Sequence, residues 1–128
     1  MEQKIENIIA TAILDQAFKI HRELGPGLLE SVYERCLEYE LTEAGFKVQS
    51  QKPVAMNYKN ISFEAGFRLD LLVNDKVIVE IKSVENLAPV HFAQTLTYLK
   101  MTGLKLGLLI NFNTKFLKDG IHRVANDL

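Results

Sequence analysis

Phe67-Arg68-Leu69-Asp70-Leu71-Leu72-Val73, Asn74-Asp75-Lys76 and Val77-Ile78-Val79-Glu80-Ile81-Lys82-Ser83 read as two apolar strands joined by a polar turn. Among their aliphatic residues stand three ionisable side chains, Asp70, Glu80 and Lys82. If the loop is Asn74 to Lys76, Val73 faces Val77 and, stepping back along both strands, Asp70 faces Glu80. Side chains alternate with period two, so Lys82 then shares the face of Glu80, while Leu71, Val73, Val77, Val79 and Ile81 take the other. A two-residue loop would pair Asp70 with Val79 and put the two acids on opposite faces. Asn and Asp tolerate the left-handed conformation of three-residue hairpin loops, which favours the longer loop.

Like charges facing each other across a strand pair repel, and burying them is costly unless a cation or a proton intervenes. Oxygen ligands of this kind suit a hard cation such as Mg²⁺ or Mn²⁺. The order Asp70, then Glu80-x-Lys82, resembles the core signature of the PD-(D/E)xK nuclease superfamily, with Arg68-Leu69 standing where the name-giving Pro would be. The plainer alternative is an ion pair between Glu80 and Lys82 on an edge strand facing water.

Upstream, Ile5, Ile8, Ile9, Ala12, Ile13, Ala17 and Ile20 recur at spacings of three and four, which predicts an amphipathic helix over about residues 4–23. His21 and Arg22 fall near its C-terminal end, where the helix dipole favours cations. Gly25-Pro26-Gly27 breaks it, and a second helix is predicted from about Leu28 to Ala44, stopped by Gly45. Its expected buried stripe is Leu29, Val32, Tyr33, Cys36, Leu37 and Leu41.

Gly27-Leu28-Leu29-Glu30-Ser31-Val32-Tyr33 matches the heptapeptide that names the GxxExxY protein family, and the resemblance runs over nearly the whole chain. That family is grouped with the PD-(D/E)xK superfamily, in many of whose members a Glu from the helix before the sheet reaches the metal site. Glu30 is the matching position, beside the motif residues Gly27 and Tyr33. Without the resemblance, a Glu in the first turn of a helix is explained by the positive helix end alone.

Between the helices and the hairpin, residues 46–58 predict a first strand, with Pro53 at an edge or bulge. Lys47, Lys52 and Lys59 make it the most basic local stretch, fit either to touch phosphates or to guard an exposed edge. Downstream, Pro89 opens a predicted helix that Gly103 stops after about Thr102, with Phe92, Ala93, Leu96 and Leu99 facing a core. Gln94-x-x-x-Tyr98 resembles a helical motif of RecB-like nucleases whose side chains border the active site and contact nucleic-acid backbone; His91 lies on the same stripe. Residues 105–112 are almost wholly apolar, as in a strand buried on both faces, joined to the hairpin by a right-handed βαβ crossover. Phe116 to Ala125 reads as a short closing helix with Lys118, His122 and Arg123 on its solvated face.

The 128 residues are enough for one domain, 1–128, with a real core. Fifteen Lys plus Arg against sixteen Asp plus Glu leave a formal charge of −1, so any attraction to nucleic acid must be local. A lone cysteine, Cys36, fits a reducing cytoplasm and core packing. The stretch Met1 to Asn7 carries no export signal, and no apolar run approaches the ~18 residues of a membrane span.

Pattern and resemblance together lead to an α/β fold: a restriction-endonuclease-like αβββαβ core with an extra N-terminal helix and a C-terminal helix. The resemblance implies metal-dependent cleavage of DNA or RNA phosphodiester bonds. Asp70, Glu80, Glu30 and the Ile81 carbonyl would hold Mg²⁺ or Mn²⁺, Lys82 would act on water or the transition state, and Gln94, Tyr98 and His91 would touch the strand. Two alternatives stand beside it: a catalytically silent nuclease-fold module that binds a protein or nucleic acid through a satisfied Asp70-Lys82-Glu80 network, and a small-molecule phosphohydrolase. The small size leads us to expect a homodimer or a protein partner.

Overall fold

The computed structural model describes residues 3–128; Met1 and Glu2, which begin the polar stretch read above, lie outside the described residues. The chain runs α1 (Ile5–Leu24), α2 (Glu30–Glu43), β1 (Val48–Tyr58), β2 (Ile61–Val73), β3 (Val77–Lys82), α3 (Pro89–Thr102), β4 (Leu106–Asn111), a 3₁₀ turn (Leu117–Gly120) and β5 (Ile121–Ala125). The strands form one mixed sheet in the order β1-β2-β3-β4-β5. Among the described residues β3 and β4 are the one pair that runs parallel, with α3 as their crossover.

Period-two alternation sorts the hairpin and its neighbours onto two cores. Leu71, Val73, Val77, Val79 and Ile81 join Leu106, Leu108, Ile110 and Phe112 in a core covered by α1 and α2. On the other side Leu72 and Ile78 meet Leu99 of α3. β4 is buried along its whole length, as its unbroken apolar run requires. Gly107 admits α3 closely, because a Cβ there would lie 2.8 Å from Thr95 Cγ2.

Four expectations are corrected. The predicted closing helix over Phe116 to Ala125 is instead the 3₁₀ turn followed by β5, antiparallel to β4. Ile121 and Val124 are three apart and so read as helical, yet Ile121 packs on the core beneath α1 and α2, and Val124 on the α3 side. Opposite faces at an odd spacing are the mark of a strand, and β5 pairs the otherwise open hydrogen-bonding edge of β4. On α1 the buried set is Glu6, Ile9, Ala10, Ile13, Ala17, Ile20 and His21, which leaves Ile5 and Ile8 half exposed on its flank. On α2 only Tyr33, Leu37 and Leu41 are buried, because Leu29 precedes the helix and Val32 lies off the Tyr33-Leu37-Leu41 line. α3 likewise buries Thr95 and Leu99, with Ala93 exposed. Cys36 is half-buried against the core that α1 and α2 cover.

The turn into β5 tests this topology. A Cβ on Gly120 would collide with the Asn111 backbone carbonyl. Gly120→Ala is expected to lower stability by about 1–3 kcal/mol, read as a fall in the urea midpoint; an unchanged midpoint would contradict this packing of the turn against β4.

Candidate active site at the end of the hairpin ladder

The turn sets the register. Asn74 and Asp75 both take left-handed conformations, with φ of 51° and 55°. Asn74 donates its N–H to the Lys47 carbonyl at 2.8 Å and accepts the Lys47 N–H on Oδ1 at 2.9 Å. Lys47 also pairs with Asp75 at 2.9 Å. The three-residue loop then aligns Val73 with Val77, Leu72 with Ile78 and Leu71 with Val79.

One step further the ladder gives way to the acids. The Asp70 N–H donates to Glu80 Oε2 at 2.9 Å, and the Ile81 N–H donates to Asp70 Oδ2 at 2.8 Å. Each carboxylate thus occupies the place of a backbone acceptor on the opposite strand. Glu80 is 3% exposed and Asp70 is half-buried. Burial first, and then the Asp70 charge, push the Glu80 carboxyl up to about 8, against the pull of the Asp70 N–H and of Lys82. Asp70 is raised too, chiefly by burial, while the Ile81 N–H, Lys82 and Gln51 oppose the rise. The two groups titrate as a pair.

A second wall comes from α2. Tyr33 is fully buried and stacks on Phe112, with ring centroids 4.5 Å apart. Its hydroxyl donates to the Gly25 carbonyl at 2.6 Å and accepts the Leu28 N–H at 3.1 Å, stapling the turn in which Gly27 has φ of 98°. Ser83, just past β3, donates its hydroxyl to the Leu28 carbonyl at 2.6 Å and its N–H to Glu30 Oε1 at 3.3 Å. Gly27 and Tyr33 therefore fix the start of the helix, and Glu30 is brought to the end of the strand that carries Glu80 and Lys82.

Glu30, Glu34 and Asp70 line one cleft of about 820 Å³. Glu34 was missed by the sequence reading, although it follows Glu30 by four residues and so shares its helix face. Gln51 was missed as well, and no local pattern marks it. With φ of 51° it turns its Nε2 to Glu34 at 2.9 Å and to Asp70 at 3.4 Å. Burial and the Asp70 charge raise Glu34.

Lys82 is half-buried and acts on both acids through space. Among the described residues the ion pairs are Lys19 with Glu40 and Lys47 with Asp75, so Lys82 forms an ion pair with neither Asp70 nor Glu80. From α3, Tyr98 stacks on Phe67 at 4.4 Å, and its hydroxyl is raised by burial and by the charges of Glu80 and Asp70, with a Gln94 hydrogen bond opposing. His91 turns inward along its own helix, where Nδ1 accepts the Ala88 N–H at 3.0 Å. His21, on the buried face of α1 near its C-terminal end, hydrogen-bonds the Thr114 carbonyl through Nε2 at 2.8 Å.

Among the described residues no three acids, histidines or cysteines stand grouped as a finished metal site. The donor chemistry of Asp70 and Glu80 nonetheless fits a divalent ion: two hard oxygen ligands whose mutual repulsion and burial favour a bound positive charge.

The chain belongs to the PD-(D/E)XK nuclease superfamily, whose match spans residues 7–124, from within α1 to within β5. Nucleases of this superfamily generally use divalent metals and act on nucleic acids. No curated protein and no solved structure matches the chain. Among the described residues no helix is long and apolar enough to cross a membrane.

The raised carboxyls give stability a pH dependence of definite sign. Folded Glu80, Glu34 and Asp70 hold protons more tightly than the unfolded chain, so their contribution is complete below the ordinary carboxyl range and is lost as pH rises toward about 8. The metal-free protein is expected to melt at lower temperature at pH ~8 than at pH ~5, and Glu80→Gln, which keeps an acceptor for the Asp70 N–H, to flatten that fall. A melting temperature independent of pH in this window would contradict the buried pair. Tyr33→Phe should lose about 1–3 kcal/mol by leaving the Leu28 N–H unpaired; urea denaturation checks it.

Proposed function

We infer that this chain is a nuclease of the GxxExxY type that hydrolyses phosphodiester bonds of DNA or RNA with the help of Mg²⁺ or Mn²⁺. The observation that carries the reading is the Asp70–Glu80 pair: a buried and a half-buried carboxyl, both with raised proton affinity, at a cleft lined by Asp70, Glu30 and Glu34. Asp70 and Glu80 would hold the ion, with Glu30 and the Ile81 carbonyl as further ligands. When bound, such an ion lowers the pKa of water and offsets the charge that grows on the phosphate.

The remaining chemistry falls to the chain itself. Lys82 orients the attacking water or stabilises the transition state, and it is free for that task because neither acid engages it in an ion pair. Gln94 and Tyr98 position the strand from α3, and the Tyr98 ring is held by Phe67. His91 has one ring nitrogen committed to Ala88, which leaves Nε2 as its contact to a phosphate. The silent-module alternative expected a closed Asp70-Lys82-Glu80 network; the absence of ion pairs to Lys82 among the described residues favours retained chemistry instead.

Isothermal titration of Mn²⁺ and Mg²⁺ into the wild type and Glu80→Gln, followed by incubation of both with single- and double-stranded DNA and RNA, tests the reading. Metal binding and cleavage are expected in the wild type and should both be lost in Glu80→Gln. Lys82→Gln is expected to keep metal binding while lowering cleavage about 10²–10³-fold. A wild type that binds no divalent ion at millimolar concentration would overturn the assignment.

A further inference from the structure

The acidic cleft has a basic neighbour. A separate groove of about 450 Å³ is lined by His21, Arg22, Lys115 and Lys118 together with Phe18 and Phe116, and among the described residues no acid lines it. Arg22, Lys115 and Lys118 are exposed. In a chain of formal charge −1, three exposed cations around one concavity make a local reversal of sign. Phe116 is 56% exposed, and Lys115 Nζ stands 5.5 Å from its ring centroid.

The groove and the cleft share a ridge. Gly25 and Pro26 line the groove while Gly27 lines the cleft; Lys115 lines the groove while Asn113 lines the cleft. The ridge is held from below, because His21 binds the Thr114 carbonyl and Tyr33 binds the Gly25 carbonyl. A polyanion crossing it would pass from a surface that attracts phosphates to one that repels them until a cation is bound. The exposed aromatic ring offers a face on which an unpaired base can stack, the combination used by surfaces that bind single strands.

We propose that Arg22, Lys115, Lys118 and Phe116 form a binding surface for a single-stranded nucleic-acid segment that leads into the Asp70–Glu80 cleft. The proposal deepens the nuclease reading and rests on it for the direction of the strand. The cations bind phosphates next to the one that is cleaved, and Phe116 takes a base.

The test uses fluorescence anisotropy of a labelled single-stranded oligonucleotide, as DNA and as RNA, in EDTA with the Glu80→Gln chain so that the probe stays intact. Adding Arg22→Gln, Lys115→Gln and Lys118→Gln is expected to weaken binding at least about tenfold and to reduce the slope of log affinity against log salt by about 2. Phe116→Ala should weaken single-strand binding with that slope unchanged. Equal affinity and slope in the triple variant, or no binding by the Glu80→Gln chain, would overturn the groove while wild-type cleavage with Mn²⁺ still stood. Binding lost in the triple variant, with no cleavage by the wild type, would keep the groove as a nucleic-acid surface and overturn the nuclease reading.

Discussion

At the end of the β2–β3 ladder two carboxylates take over the work of backbone carbonyls. The Asp70 N–H is satisfied by Glu80 and the Ile81 N–H by Asp70, so the acids take up the backbone donors where the β2–β3 pairing ends. A carboxylate that accepts a backbone N–H gains from staying charged, but burial and a neighbouring like charge weigh more heavily. Both effects favour an added positive charge at the pair, whether a proton or, in our reading, a divalent ion.

The rest of the fold delivers partners to that point. The Asn74-Asp75-Lys76 turn fixes the register that brings Asp70 level with Glu80, and Lys47 fixes the turn. Tyr33, packed on Phe112, holds the start of α2 so that Glu30 meets Ser83 at the end of β3. The α3 crossover sets Tyr98 where it feels both acids. The acidic cleft and the basic groove flank one ridge, so a nearly neutral chain carries a strong charge gradient over a short distance.

How much of this can be read from the residues depends on how local the cause is. The hairpin register was legible because an odd polar loop and two alternating strands leave few arrangements, and α3 because Pro89 and Gly103 mark its ends. The heptapeptide pointed to Glu30 and Tyr33, although the hydroxyl staple that explains Tyr33 joins residues on both sides of a turn. Residues 116–125 were misread since a short segment with apolar residues three apart satisfies a helical period; only the unpaired edge of β4 decides for a strand. Gln51 was invisible for a related reason: its left-handed backbone and its bonds to Glu34 and Asp70 are imposed by tertiary contacts. Exposure of Ile5, Ile8 and Leu29 likewise depends on where the sheet lies beneath each helix.

The most direct measurement is a ¹³C NMR titration of the carboxyl carbons of Asp70 and Glu80, without and with Mg²⁺. Without metal, one of the pair should titrate near pH 8, and Mg²⁺ should move that transition down by at least a unit as the ion replaces the proton. If both carboxyls titrate in the ordinary range near pH 4 and Mg²⁺ leaves them unmoved, the pair neither stores a proton nor binds the ion, and the account of the site is wrong.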